Sequence, residues 1–212
     1  MTELPVLRSP GPEDAQVAAE LHFRSWVATY GPLVASGDAA ALTLTERVEH
    51  WERLLRERPT DRGALVAERE RRVVGLVEWE IGPSGDRSIG EVHAIHVAAD
   101  ERGRGVGTVL LVAAVEAMRS LGCRRAVLWV LDANSAARRF YERHGWVWDG
   151  TTVARPLGGF AHFPPVIEVR YALDLVRAPQ EGSGGTTVVL APPDGSGRPP
   201  PTIVIVWRGR HP

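Results

Sequence analysis

The chain has 212 residues, 44% of them hydrophobic, and its 25 basic and 26 acidic side chains leave a formal net charge of −1 at pH 7. That length and apolar content allow one sizeable domain with a core, and the balanced charge excludes a chain-wide basic surface for nucleic acid. No apolar run is long enough to cross a membrane, and no basic segment with a long apolar run opens the chain, so the expectation is a cytoplasmic protein. Lysine is absent, which removes Schiff-base and other lysine-dependent mechanisms. Cys123 is the single cysteine, so an internal disulfide and cysteine-rich metal sites are excluded, and its place at a strand entry reads as a small buried residue. Abundant Arg, Ala, Gly and Pro suggest a GC-rich bacterial genome.

Leu4 to Arg8 can form a first strand, broken by Ser9-Pro10-Gly11-Pro12. Pro12 suits a first helical position, and Glu13 and Asp14 favour the dipole of a helix from Ala15 to Tyr30, with Ala18, Leu21, Ser25 and Trp26 at helical spacing. Gly31-Pro32 stops it. A second helix, roughly Thr45 to Arg58, carries Val48, Trp51, Leu54 and Leu55 on one side and is closed by Pro59. Ala64 to Glu70 and Arg72 to Ile81 read as an antiparallel hairpin, followed by a loop from Gly82 to Asp86.

The next strand, EVHAIHV from Glu91 to Val97, alternates: Glu91, His93, Ile95 and Val97 are expected on one face, Val92, Ala94 and His96 on the other. A carboxylate and an imidazole two positions apart would then look into one cleft, the placement a general base needs. His93 and His96, at odd spacing, are expected on opposite faces, which speaks against a shared metal ion, and no metal is expected.

After the polar turn AADE come Gly103, Gly105 and Gly107, and then a helix with Val106, Val109, Leu110, Ala113, Ala114, Ala117 and Leu121 on one face, ended near Gly122. A strand, a glycine-rich turn and a helix N-terminus make an anion site for a phosphate or pyrophosphate. A P-loop would need a lysine, and Thr108 follows Gly107; a dinucleotide fingerprint would need G-x-G-x-x-G and an acid further on, and neither is present. Further along, CRRAVLWVL reads as a buried strand, and DANSAARRFYERHGW as a short helix capped by Asn134 or Ser135, carrying Phe140 and Tyr141 and ended by Gly145. Trp146 to Thr151 and Val166 to Leu175 read as a closing strand pair. The stretch 178–212 turns Pro/Gly-rich and is expected to be a flexible extension, in which TTVVL and TIVIVW could pair as a weak hairpin.

The segment Arg102-x-x-Gly105-x-Gly107, with Asn134, Tyr141, Gly145 and Trp146 in order behind it, resembles the GNAT family of N-acetyltransferases. The resemblance implies an α/β acyl-CoA N-acyltransferase fold over residues 1–177, a mixed, mostly antiparallel central sheet flanked by helices. It implies acetyl-CoA as co-substrate and transfer of its acetyl group to a primary amine, on a small molecule, a polyamine or a peptide or protein, by direct attack in a ternary complex. The coenzyme would be held by Ile95, His96 and Val97 on the central strand, by Arg102, Gly103, Arg104, Gly105, Val106, Gly107 and Thr108 in the cradle, and by Asn134 and Tyr141.

Glu91 stands eleven residues before Arg102, the interval of a catalytic glutamate in the histone-acetylating branch of the family, and is the leading general base, with His93 as substitute or relay. By resemblance Tyr141 would protonate the coenzyme A thiolate or hydrogen-bond its sulfur. Trp26, Tyr30 and Trp51 of the first two helices, and Phe160 in the loop between the closing strands, would contact the acceptor. The expected partners are that acceptor and, if the chain is not monomeric, a second copy in a homodimer; no nucleic acid or membrane is expected. The alternative is a non-catalytic acyl-CoA-binding sensor or interaction module, which would keep the cradle without needing Glu91, His93 or Tyr141.

Overall fold

Apolar residues at alternating and helical spacings form two layers of helix on one sheet in the computed structural model, which describes residues 4–31, 44–156 and 165–176, with two short strands at 186–188 and 205–207. The elements in chain order are β1 (Val6–Arg8), α1 (Ala15–Tyr30), α2 (Leu44–Glu57), β2 (Arg62–Arg69), β3 (Arg72–Ile81), β4 (Ile89–Val97) and α3 (Val106–Ser120). They continue with β5 (Arg125–Leu131), α4 (Ser135–Arg143), β6 (Val147–Pro156), β7 (Pro165–Asp174), β8 (Thr186–Val188) and β9 (Ile205–Trp207). Seven strands make one mixed sheet in the order β1-β2-β3-β4-β5-β7-β6. Every pair is antiparallel except β4 with β5, which are joined through α3.

The sheet divides the core in two. On one face Ala15, Ala18, Ala19 and Leu21 of α1 and Trp51, Leu54 and Leu55 of α2 close over Val66 and Leu76. On the other, α3 and α4 lie over Leu65, Val77, Val92, Leu128 and Tyr171. The predicted face of α3 is buried from Val106 to Ala117, whereas Leu121 lies beyond the last helical turn and is 56% exposed. Strand glycines let α3 approach: a Cβ on Gly75 would stand 2.8 Å from Leu110 Cδ1, and one on Gly90 would stand 2.4 Å from Met118 Sδ. Cys123 is buried, as its position suggested, and burial pushes its thiol up.

The alternation expected along β4 does not hold, because the strand carries a bulge. Glu78 pairs with Ala94 but the next residue, Trp79, pairs with Val92, so His93 is an extra residue. Beyond it the phase reverses: Ile95 and Val97 pack on the α3 face. His96 stands opposite Leu76 and stacks at 4.5 Å on His22 of α1, so it joins Glu91 and His93 on the α1–α2 face. The separation of His93 from His96 by strand alternation therefore fails; among the described residues no three His, Cys, Asp or Glu side chains converge to hold a metal ion. In the C-terminal stretch β8 and β9 pair antiparallel, Thr186 opposite Trp207.

Candidate active site

Two neighbouring strands separate to make the site. The pairing of β4 with β5 runs from Ile89–Arg125 to Val92–Leu128 and stops there. β4 nevertheless stays on β3 as far as Val97–Gly75, and β5 stays on β7 as far as Leu131–Glu168. A cleft of about 660 Å³ opens at the parted ends. Ile95, His96 and Val97 form one wall, Asn134, Phe140 and Tyr141 of the α4 segment the opposite one, and Ser25 and Thr29 of α1 reach its edge.

Its floor is the glycine turn. Gly103 and Gly105 have φ of 74° and 85°, in the left-handed region that favours glycine, and a Cβ at either would meet nothing within 4 Å. Gly105 caps α3 with no side-chain bond, so the first-turn N–H groups of Val106, Gly107 and Thr108 lack intrahelical acceptors and are available to an anion. The turn is fixed from behind by Glu101, which is 5% exposed and pairs with Arg69, with Arg72 at 3.4 Å and with Arg104 at 3.6 Å. Arg102, Gly103, Gly105, Gly107 and Thr108 line the cleft. Val106 is turned into the core, and the side chain of Arg104 is exposed. Asn134 caps α4 by accepting from the N–H of Ala137 at 3.1 Å, and its residue also lines the cleft. Tyr141 is 8% exposed among Phe140, Trp146 and Tyr171.

Glu91 and His93 lie on the α1–α2 face of β4. His93 sits between two carboxylates, Nε2 2.9 Å from Glu80 Oε2 and Nδ1 3.4 Å from Glu91 Oε1. Burial pushes the Glu91 carboxyl up, and His93 and Arg155 only partly oppose it. Beside it Glu78, 3% exposed, accepts from His50 at 3.1 Å; burial opposes its ionisation, but His50, His93 and Arg62 prevail and hold it below the usual carboxylate range. Glu80, Glu78, His50 and Thr29 were not singled out by sequence, and Ser25 was read only as a position at helical spacing. The alternation of Glu78 and Glu80 in VEWEI was a visible signal, but only the pairing of Glu80 with Glu91 brings the carboxylates together.

The aromatic acceptor candidates are less prominent. Trp26 is 5% exposed, and Trp51 is fully buried in the α1–α2 core. The side chain of Tyr30 and all of Phe160 lie outside the described residues.

A sheet parted beside a glycine-rich helix N-terminus makes a cleft suited to a ligand that carries phosphate. Residues 24–146 match the model of the acetyltransferase (GNAT) family, and the chain belongs to that family. Among curated relatives it is similar to a mycothiol acetyltransferase of Thermobispora bispora, 37% identical over 87 residues. That stretch is 40% of this chain and 30% of the relative, so less than a third of the relative's length is matched. The fold is similar to PaiA N-acetyltransferase of Thermoplasma acidophilum, solved in complex with coenzyme A, with a TM-score of 0.60 at 20% identity over 76% of this chain and 96% of that one. It is also similar to a ribosomal-protein-alanine N-acetyltransferase of Brucella melitensis, with a TM-score of 0.61 at 22% identity over 79% and 98% of the two chains.

Proposed function

We propose that this protein binds acetyl-coenzyme A in the cleft between β4 and α4 and moves its acetyl group to a primary amine by direct attack in a ternary complex. The observation that carries the reading is the open space above Gly103 and Gly105, where an anion can approach the backbone N–H groups of the α3 N-terminus at one end of the parted strands. The coenzyme supplies an activated thioester. The chain's residues anchor its phosphates at the turn from Arg102 to Thr108, and Ile95 to Val97 and Asn134 flank its arm.

Tyr141 lines the same cleft and would offer its hydroxyl to the sulfur, giving the leaving thiolate a proton or a hydrogen bond. Glu91 would accept the proton of the ammonium group from the other face of β4, directly or through water. A carboxyl raised by burial holds a proton more readily than one in water, which suits that role, and His93 between Glu91 and Glu80 gives the proton a way out. The domain would span residues 1–177, and a small amine, a polyamine or a peptide amine would be the acceptor.

Thiol release from acetyl-coenzyme A, measured against a panel of amines and peptides, tests the reading. Wild-type protein should release thiol only with an acceptor. Tyr141→Phe should lower kcat about ten- to hundredfold, because a thiol is a fair leaving group even unassisted. Glu91→Gln should lower kcat and remove the acidic limb of its pH profile. Coenzyme binding without release for any acceptor would favour a sensor over an enzyme.

A further inference from the structure

We propose that His144 is a positioning residue that takes up a proton when coenzyme A binds and thereby turns the hydroxyl of Thr108 toward the diphosphate; the inference rests on the reading of the cleft as a coenzyme A site. His144 is the half-buried residue that closes α4, and it lines the cleft with Thr108. Its Nδ1 lies 2.7 Å from the carbonyl oxygen of Phe140, which can only accept, so Nδ1 carries a hydrogen. Its Nε2 lies 3.0 Å from Thr108 Oγ1.

The tautomer then decides which way the hydroxyl points. In neutral His144, Nε2 has only a lone pair, so Thr108 donates its one hydroxyl hydrogen to the ring and turns oxygen lone pairs to the cleft. That arrangement repels phosphate. In the imidazolium, Nε2–H donates to Thr108 Oγ1, and the hydroxyl hydrogen is released for a phosphate oxygen beside the free N–H groups of the first turn of α3. One proton comes from solvent, one N–H bond forms on the ring, and no bond to the coenzyme is made or broken.

The other ionisable groups lining the cleft are His96, Glu101, Arg102, Tyr141 and Arg143. Arg102 and Arg143 bring positive charge to the cleft, and Glu101 is already committed to Arg69 and Arg72. Burial, with Arg47 and Arg102 nearby, keeps His96 neutral at pH 7. An incoming diphosphate offsets the arginines and favours the imidazolium, so binding and protonation reinforce each other.

Calorimetry with the full chain tests this, using 3′-dephospho-coenzyme A, whose diphosphate does not titrate near neutrality, in two buffers of different ionisation enthalpy. For wild type the binding enthalpy should vary between buffers in the sense of proton uptake, and affinity should fall as pH rises through neutrality. Thr108→Val should bind about tenfold more weakly, with a smaller dependence of the enthalpy on buffer than wild type. His144→Gln, whose amide can donate to Thr108 without titrating, should keep most of the affinity and lose the uptake. Wild-type binding with no buffer dependence, or the same uptake in both variants, would overturn the proposal. If wild type binds neither this compound nor coenzyme A, the coenzyme reading of the cleft itself falls, and this inference with it.

Discussion

Glu78 and Glu91, on adjacent strands, show how the same side chain is set in opposite directions by its neighbours. Both are desolvated, yet Glu78 has His50, His93 and Arg62 to hold it ionised, while the cations near Glu91 do not offset its burial. The histidines give a sharper prediction. His96 is brought to about 4 by burial and by Arg47 and Arg102, and His22, stacked on it, is lowered well below the ordinary imidazole value by burial and by His96. A base lowered in the folded state leaves the unfolded chain binding more protons, so stability rises with pH through this window. The contribution of His96 should be complete above about pH 6.5 and lost as pH falls toward 4, a change of about 3 kcal/mol. Urea denaturation between pH 7 and 4.5 should show the loss, and His96→Asn should flatten it; Glu78 adds its own acid sensitivity only below the ordinary carboxylate range. An unchanged slope in the variant would mean that another group carries the dependence.

Among the elements, α3 depends most on small residues beneath it. A methyl group on Gly75 would meet Leu110 and Val106 at 2.8 Å and the backbone oxygen of His96 at 3.2 Å, and neither helix nor strand can yield without disturbing the cleft wall. Gly75→Ala should therefore cost about 1–3 kcal/mol in chemical denaturation although it adds a single carbon; a neutral result would show that α3 can slide on the sheet. Helix positions were largely legible because a 3.6-residue period and terminal glycines declare themselves: α3 and α4 fall where the apolar spacing and the Asn134 cap put them. The faces of β4 were not legible. A period of two assigns every side chain only while the strand is regular, and one extra residue at His93 reverses all that follow.

For the whole molecule, a ligand that binds only the folded chain raises its stability by mass action. Coenzyme A at a hundred times its Kd should add about 2.7 kcal/mol and raise Tm by about 5–10 °C in a chain of this size. A melting curve unmoved by saturating coenzyme A would count against the cleft as its site; a raised Tm would be shared by an enzyme and a sensor, which the thiol-release assay separates. The parting of β4 from β5 is a property at this scale, since each strand keeps its other partner while the contact between them ends.

By itself the sequence determined the family, through Arg102 to Gly107 and the Asn134 to Trp146 block, and with it the order of the helices and strands. These are local signals, written in residues close together along the chain: glycines where backbone torsion and close approach demand them, a cap, and an apolar period. Tertiary structure alone decided that Glu80 stands against His93, that His22 stacks on His96, and that His144 reaches Thr108. Those pairs join residues 13, 74 and 36 positions apart, and only strand register, the bulge and the packing of α4 beside α3 bring them within reach.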